Sequence, residues 1–586
     1  MRTSTPRRPI LLSGALACGI TVTFAAGALS PDRTALFTPA ASWTPRPAIG
    51  GTIEEMPPRD GQRVIRPKAA PPVDGPRQRR AAGPLHRLAV SVLDRAGLPP
   101  GDAYADMFQV FDRATGRPVT GRFTGGTGQV EVPAGTYRVG AWIRTPEPGR
   151  PDAKALMIEP SVSVAGATSV ALDARATKKV EVSLDVPDPK LYLGDVLVPM
   201  TTEGERHAYG LPLEDGLFVS PAAGMTFYVS SVWTRGGADR SPYRYSVLNT
   251  SKGQIPSDPT FRVRTADLAT VSTKYPAQGR TGCVGIFSGP DLPDVPAVMS
   301  YGVVAGTTPG THTVRATPGV LWRDDHSVGG ADCTFEESEM TQGAERFPGP
   351  GHYTRQWHTA PLTPGLSFWN GRGDLVPAVV RRNDQLDVGM SLFSDGATAH
   401  VGPLGGEGSH ITGRTTLTQD GRQLGSSPYA GSGSFTLPKG PGRYRLETSA
   451  ERNAPWSPLA TRTDAAWTFT SAPTDTATAP PLMAVRYDAR LDDHSLARAG
   501  ASHRISAKIQ APPGADAPDV RQFRVHVSYD DGKTWQRTTV REGDDGWTIQ
   551  LHHPANAGYV SLRASAVDTE GNTVEQTTIR AYGLRT

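Results

Sequence analysis

Apolar residues in this chain come in short alternating stretches, each cut off by Gly or Pro, and no amphipathic helical run longer than about three turns can be drawn. The breaks are supplied by 64 Gly and 53 Pro scattered evenly among 586 residues. The pattern is plainest at the C-terminal end. There Val527 to Trp535 reads V-S-Y-D-D-G-K-T-W and Gly558 to Leu584 reads G-Y-V-S-L-R-A-S-A-V-D-T-E-G-N-T-V-E-Q-T-T-I-R-A-Y-G-L, alternating segments around tight turns. Alternation puts one face of each strand on a core and the other in water. The chain is long enough for about three to five domains that each bury a core. The expected fold class is therefore all-β, a tandem of β-sandwich domains.

The N-terminal end reads differently. Met1 to Ala28 has Arg2, Arg7 and Arg8, then an apolar stretch from Ile10 to Phe24, then the small residues Ala26-Gly27-Ala28. This is the pattern of a secretory signal peptide, 1–28, exported by the Sec route or, through Arg7-Arg8, by the twin-arginine route. The apolar stretch is shorter than the roughly 20 residues a membrane span needs, so no stable membrane anchor is expected. Ala15-Leu16-Ala17-Cys18 is a poor lipoprotein box because apolar sequence continues past it. Residues 29–83 follow, rich in Pro and Arg with little apolar periodicity, and are expected to form a disordered linker. Residues 1–28 carry +3 and residues 29–82 carry +4, so the chain's formal charge of +4 comes from its N-terminal end. Residues 83–586 carry a net −3, and nucleic acid is excluded as the expected partner. The expected localisation is extracellular.

Two segments repeat. Gly126-Thr-Gly-Gln-Val-Glu-Val-Pro133-Ala-Gly135 aligns with Gly431-Ser-Gly-Ser-Phe-Thr-Leu-Pro438-Lys-Gly440, each followed by a Tyr-Arg pair at Tyr137 or Tyr444. Each is expected to be a hairpin, and the pair resembles hairpins of Ig-like and carboxypeptidase-regulatory-like β-sandwiches. The expected domains are a sandwich at 84–187, a β-rich domain with one disulfide at 188–375, and a second sandwich at 376–472. A linker at 473–481 then leads to an Ig-like module at 482–586. The tail 482–586 and the phrase Leu172 to Pro187 resemble the non-catalytic C-terminal, accessory region of large secreted actinobacterial subtilisin-like serine peptidases. The resemblance stops at the accessory parts. The Asp, His and Gly-Thr-Ser-Met-Ala contexts of that family's triad are absent, as are Gly-x-Ser-x-Gly and His-Glu-x-x-His.

Once the signal is removed, Cys283 and Cys333 remain, an even pair in an exported chain, and a disulfide is expected. Ser528-x-Asp530-x-Gly532-x-Thr534-Trp535 fits the Asp-box pattern. In it a carboxylate accepts backbone N–H bonds, Gly supplies a permissive backbone and Trp packs beneath, so a structural role is expected for Ser528, Asp530, Gly532 and Trp535. Other constellations are weaker. Asp324-Asp325-His326-Ser327 and Asp492-Asp493-His494-Ser495 are read as solvated loops. Trp322, Tyr353, Trp357, Phe368 and Trp369 would stack on sugars if exposed together, though core is the ordinary fate of such rings. Glu336, Glu337 and Glu339 beside Cys333, and Arg372-Gly373-Asp374, carry no more than their letters. No catalytic, cofactor-binding or metal-binding residue is expected, and no cofactor. The expected function is that of a secreted, non-catalytic binding or spacer protein with an extracellular ligand. The alternatives are a carbohydrate-active hydrolase or carbohydrate-binding protein with its site in 188–375, and a partner of a separate secreted peptidase.

Overall fold

Leu85–Leu93 shows how alternation becomes architecture: Leu88, Val90 and Val92 are buried while Leu85, Arg87 and Ser91 face water. The computed structural model describes residues 83–586 apart from 201–207, 236–240, 242, 296–300, 334–337, 371–373, 407–408 and 557. Before residue 83 it describes only the three short strands Val22–Phe24, Ile53–Glu55 and Ile65–Pro67. The expected signal peptide and first linker otherwise lie outside the described residues. The chain is all-β, a tandem of β-sandwiches. Its only helices among the described residues are two three-residue 3-10 turns, Ala174–Ala176 and Thr265–Asp267. No helix there is long and apolar enough to cross a membrane.

The N-terminal sandwich packs a three-stranded sheet (Thr168–Asp173, Leu85–Leu93, Thr127–Pro133) on a sheet built around Ala153–Val164, Gly135–Thr145 and Met107–Asp112. Leu88, Val90, Phe108, Val110, Val132 and Val139 fill the space between. Here the repeated turn departs from expectation. Thr127–Pro133 and Gly135–Thr145 do not pair with each other but lie in opposite sheets, as do Ser432–Thr436 and Gly442–Arg452 in the second copy. Each motif is an arch that carries the chain across a core, not a hairpin. Pro133 and Pro438 offer no N–H to a ladder. The Tyr that follows dives inward: Tyr137 is 2% exposed and its hydroxyl donates to the Pro133 carbonyl at 2.7 Å, a corner of the kind that sandwiches use where chains change sheet.

In the middle region, a large sheet containing Pro189–Pro199, Phe227–Arg235, Tyr243–Ser251, Gly310–Ala316, Ala269–Tyr275 and Gly351–Gln356 faces a four-stranded sheet. The latter runs Tyr301–Thr308, Gly282–Pro290, Leu321–Gly329, Ser338–Arg346. Cys283 on this smaller sheet is bonded to Cys333, with the Cα atoms 5.1 Å apart.

The C-terminal half is organised by one nine-stranded sheet. Its centre is the antiparallel pairing of Arg462–Ser471 with Thr573–Arg585, so strands from 376–472 and from 482–586 belong to the same sheet. Leu417, Leu446, Trp467 and Phe469 from the first stretch share a single core with Val525, Leu562, Val574 and Tyr582 from the second. Residues 473–481 lie along it, where Thr478 and Arg381 exchange backbone hydrogen bonds of 2.8 and 2.9 Å.

Candidate functional site

The Asp-box residues lie at the end of Val520–Ser528 and build one turn. Ser528 Oγ donates to Asp530 Oδ1 at 2.7 Å and accepts the Gly532 N–H at 2.9 Å. Asp530 Oδ1 accepts the Thr534 N–H at 2.9 Å and Oδ2 its hydroxyl at 2.6 Å. These bonds, the Thr534 hydroxyl foremost, draw the Asp530 carboxyl down to about 2. Gly532 has φ +83°, and a Cβ there would come within 2.8 Å of Ile579 Cδ1, so both backbone and space demand glycine. Trp535 Nε1 donates to the Gly532 carbonyl at 2.9 Å. The ring does more than pack beneath the turn. Arg563 lies over it with its guanidinium carbon 4.1 Å from the ring centroid.

The remaining sequence candidates scatter. Asp324-Asp325-His326-Ser327 is not a solvated loop but part of the Leu321–Gly329 strand, hydrogen-bonded on both sides, with Asp324 2% and His326 0% exposed. Charge is tolerated there because it is paired. Burial works to raise the Asp324 carboxyl, yet Arg355 at 2.5 Å holds it well below the usual range. His326 accepts or donates a 2.7 Å bond with Tyr275 and stacks on Trp357 at 3.7 Å, and Trp357 stacks on His400 at 3.8 Å. His400 is paired with Asp395 at 2.8 Å. Burial pushes the His326 and His358 imidazoles down to about 3 and about 4. Asp492 instead caps a turn, accepting the His494 and Leu496 N–H groups at 2.9 Å each, while Ser495 is buried and donates to the Ala277 carbonyl at 2.8 Å.

The five rings do not assemble into an exposed platform. Trp322 and Trp357 are each 2% exposed, and Trp369 is half-buried with its Nε1 on the Ala399 carbonyl. Glu339 is bonded to Arg452, while Glu336, Glu337, Arg372 and Gly373 lie outside the described residues.

Polar side chains do converge on solvent on the outer face of the nine-stranded sheet. Two adjoining shallow clefts of about 590 and 520 Å³ lie there, sharing Asp464, Arg563 and Thr577. Trp535 and Gly532 border the second, which makes the Asp-box turn one wall of this surface. Ion pairs lace it: Arg445 with Glu447 at 2.9 Å, Arg462 with Asp464 at 2.9 Å and Arg580 with Asp531 at 2.8 Å. Sequence inspection does not find this face, because its members come from six strands and meet only through register. The alternation of exposed Arg563 with buried Leu562 and Ala564 is its one local signal.

No protein-family model matches the chain, and no curated protein is significantly similar to it. Among solved structures it is similar to the Bacillus anthracis TIE protein, at 10% identity over 50% of this chain and 51% of that one, with a TM-score of 0.11. It is also similar to a streptococcal ancillary pilin, at 12% identity over 41% of this chain and 89% of that one, TM-score 0.11. A third is native E. coli alpha-2-macroglobulin, at 9% identity over 90% and 48%, TM-score 0.14. The chain thus spans about half the length of the TIE protein. At these scores no function is carried over.

Proposed function

We propose that this chain is an exported, non-catalytic binding protein, related to the accessory regions of subtilisin-like peptidases, whose sandwiches hold up a platform for an extracellular ligand. One contrast supports this most. Buried ionisable pairs such as Arg355 with Asp324 and His400 with Asp395 are shut between sheets and occupied by one another, whereas the groups that meet water together stand on an open sheet face, beside which Asp530 is occupied by its own turn. A reaction centre needs titratable groups that reach a substrate. A broad, shallow, hydrogen-bonding surface suits adhesion.

Culture fractionation with mass measurement is the test. The chain is expected in the medium with its N-terminus near Leu29, and the purified protein is expected to turn over neither casein nor a panel of glycans. Full-length chain retained in the membrane fraction, or turnover that survives purification to homogeneity, overturns the reading.

A further inference from the structure

One row of residues crosses the outer face of the long sheet in direct register: Arg537, His526, Arg563, Thr577, Asp464, Ser449 and Arg414. Neighbouring strands are about 4.8 Å apart, so the row is roughly 29 Å long. The row carries three guanidinium groups against one carboxylate; the two clefts beside it are each lined by as many carboxylates as guanidinium groups, so the positive excess lies towards the Arg537 end, where Arg524 adds to it. Asp464 is held by Arg462, and Glu447 and Glu575 by Arg445. Arg414, Arg524, Arg537 and Arg563 are exposed and form no ion pair with a described carboxylate. Arg524 lies two residues from His526 on the same face, so three guanidinium groups surround this imidazole. Burial first, then Arg563, Arg537 and Arg524, disfavour its protonation, which marks a positive potential on a region whose net charge is −3. Arg563 is also braced by the Trp535 ring and a 3.4 Å bond to the Thr577 hydroxyl.

We propose that this face binds a carboxylated polysaccharide along the row from Arg537 to Arg414. The proposal rests on the chain being an exported binding protein and names the class of its ligand. A guanidinium fork matches a carboxylate in two bonds, and Thr416, Ser449, Ser565 and Thr577 line the cleft with hydroxyls that can exchange hydrogen bonds with sugar hydroxyls. A protein partner would call for open apolar or aromatic anchors; the first cleft offers only Ala465, Ala466 and Ala564, and in the second the ring of Trp535 is covered by Arg563, which leaves the half-buried Ile579. Single-stranded nucleic acid would call for open rings, and Arg563 covers Trp535.

Titration calorimetry of the mature chain with polygalacturonate, neutral dextran and polyglutamate tests the assignment. Polygalacturonate is expected to bind at about 20 mM salt and to weaken markedly by about 200 mM, with dextran inert. Arg524→Glu with Arg537→Glu, at side chains that brace nothing, is expected to weaken binding about tenfold or more without moving the melting temperature. Arg563→Ala should act in the same direction. Absent binding at low salt, undiminished binding by the double variant, or polyglutamate binding as tightly as polygalacturonate would each overturn the proposal. None of these outcomes touches export or the lack of turnover, so the two readings fail separately.

Discussion

Asp530 is a carboxylate whose four acceptor sites are largely occupied by its own turn, and its effect on function runs through Trp535 to Arg563. Asp530→Ala removes the acceptor for both the Thr534 N–H and hydroxyl. It should lower the melting temperature and loosen Arg563, with Asp530→Asn recovering part of the loss. Trp535→Ala removes a half-buried ring and should cost about 2–4 kcal/mol. Denaturant unfolding checks both, and curves superimposable on the parent's would refute the structural role. The buried imidazoles make a different demand. His326 and His358 titrate near 3 and 4 in the folded chain against an ordinary 6.5, so their contribution is complete above pH 6.5 and lost as pH falls towards 4. Asp395 and Asp324 are already held low and lose theirs only further down, below the usual carboxylate value of 3.8. Melting temperature is therefore expected to fall between pH 6.5 and 4, and to fall less steeply in His358→Gln. A flat profile over that window would contradict it. The hydrogen bonds of the Asp-box turn are legible in the sequence because they fall within a few residues, whereas the approach of Arg563 to Trp535 and of Ile579 to Gly532 is not. Asp324 and His326 were not, because what makes their burial tolerable, Arg355 and Trp357, is supplied from another strand and the loop that follows it.

At the level of strands, alternation told which residues face inward but not which sheet a strand enters. The arches at Pro133 and Pro438 show the limit: two alternating strands around a tight turn are the local signal of a hairpin, yet the same signal serves a chain that crosses the core. What the two arches share is burial of the Tyr ring that follows, Tyr137 or Tyr444; only at the first does the hydroxyl also close the corner, on Pro133, and nothing short of packing reveals either. The pairing of Arg462–Ser471 with Thr573–Arg585, over a hundred residues apart, is likewise invisible to local reading. It has a consequence for cooperativity. A fragment of 482–586 alone would expose the edge of Thr573–Arg585 and strip Val574 and Tyr582 of Trp467 and its neighbours. Residues 362–586 should unfold in a single calorimetric transition, and the isolated 482–586 piece should melt far lower or aggregate. Two well-separated transitions in the larger piece would show that the shared sheet does not couple its halves.

Across the molecule the sandwiches are joined by polar contacts as well as apolar ones, and this sets how rigidly the cationic face is held. Tyr209 of the middle region reaches into the N-terminal sandwich, its hydroxyl donating to the Gly140 carbonyl at 2.8 Å. At the other junction Arg452, 2% exposed, leaves the nine-stranded sheet to meet Glu339 at 2.7 Å and Gln278 at 2.8 Å on the middle region, while also donating to the Leu459 carbonyl. A buried pair of this kind adds little net stability over a well-packed apolar pair, but removing one partner strands the other charge away from water, at a cost of about 3–5 kcal/mol. Arg452→Ala should therefore separate the two regions, giving an early shoulder in calorimetry and a larger radius of gyration in X-ray scattering. Glu339→Leu with Arg452→Met removes both charges at nearly constant volume and should restore most of the lost stability. If Arg452→Ala leaves both measurements unchanged, Glu339 has found another partner and the junction is not held by this pair. If the double variant is as loose as the single one, the specificity of docking resides in the charges themselves.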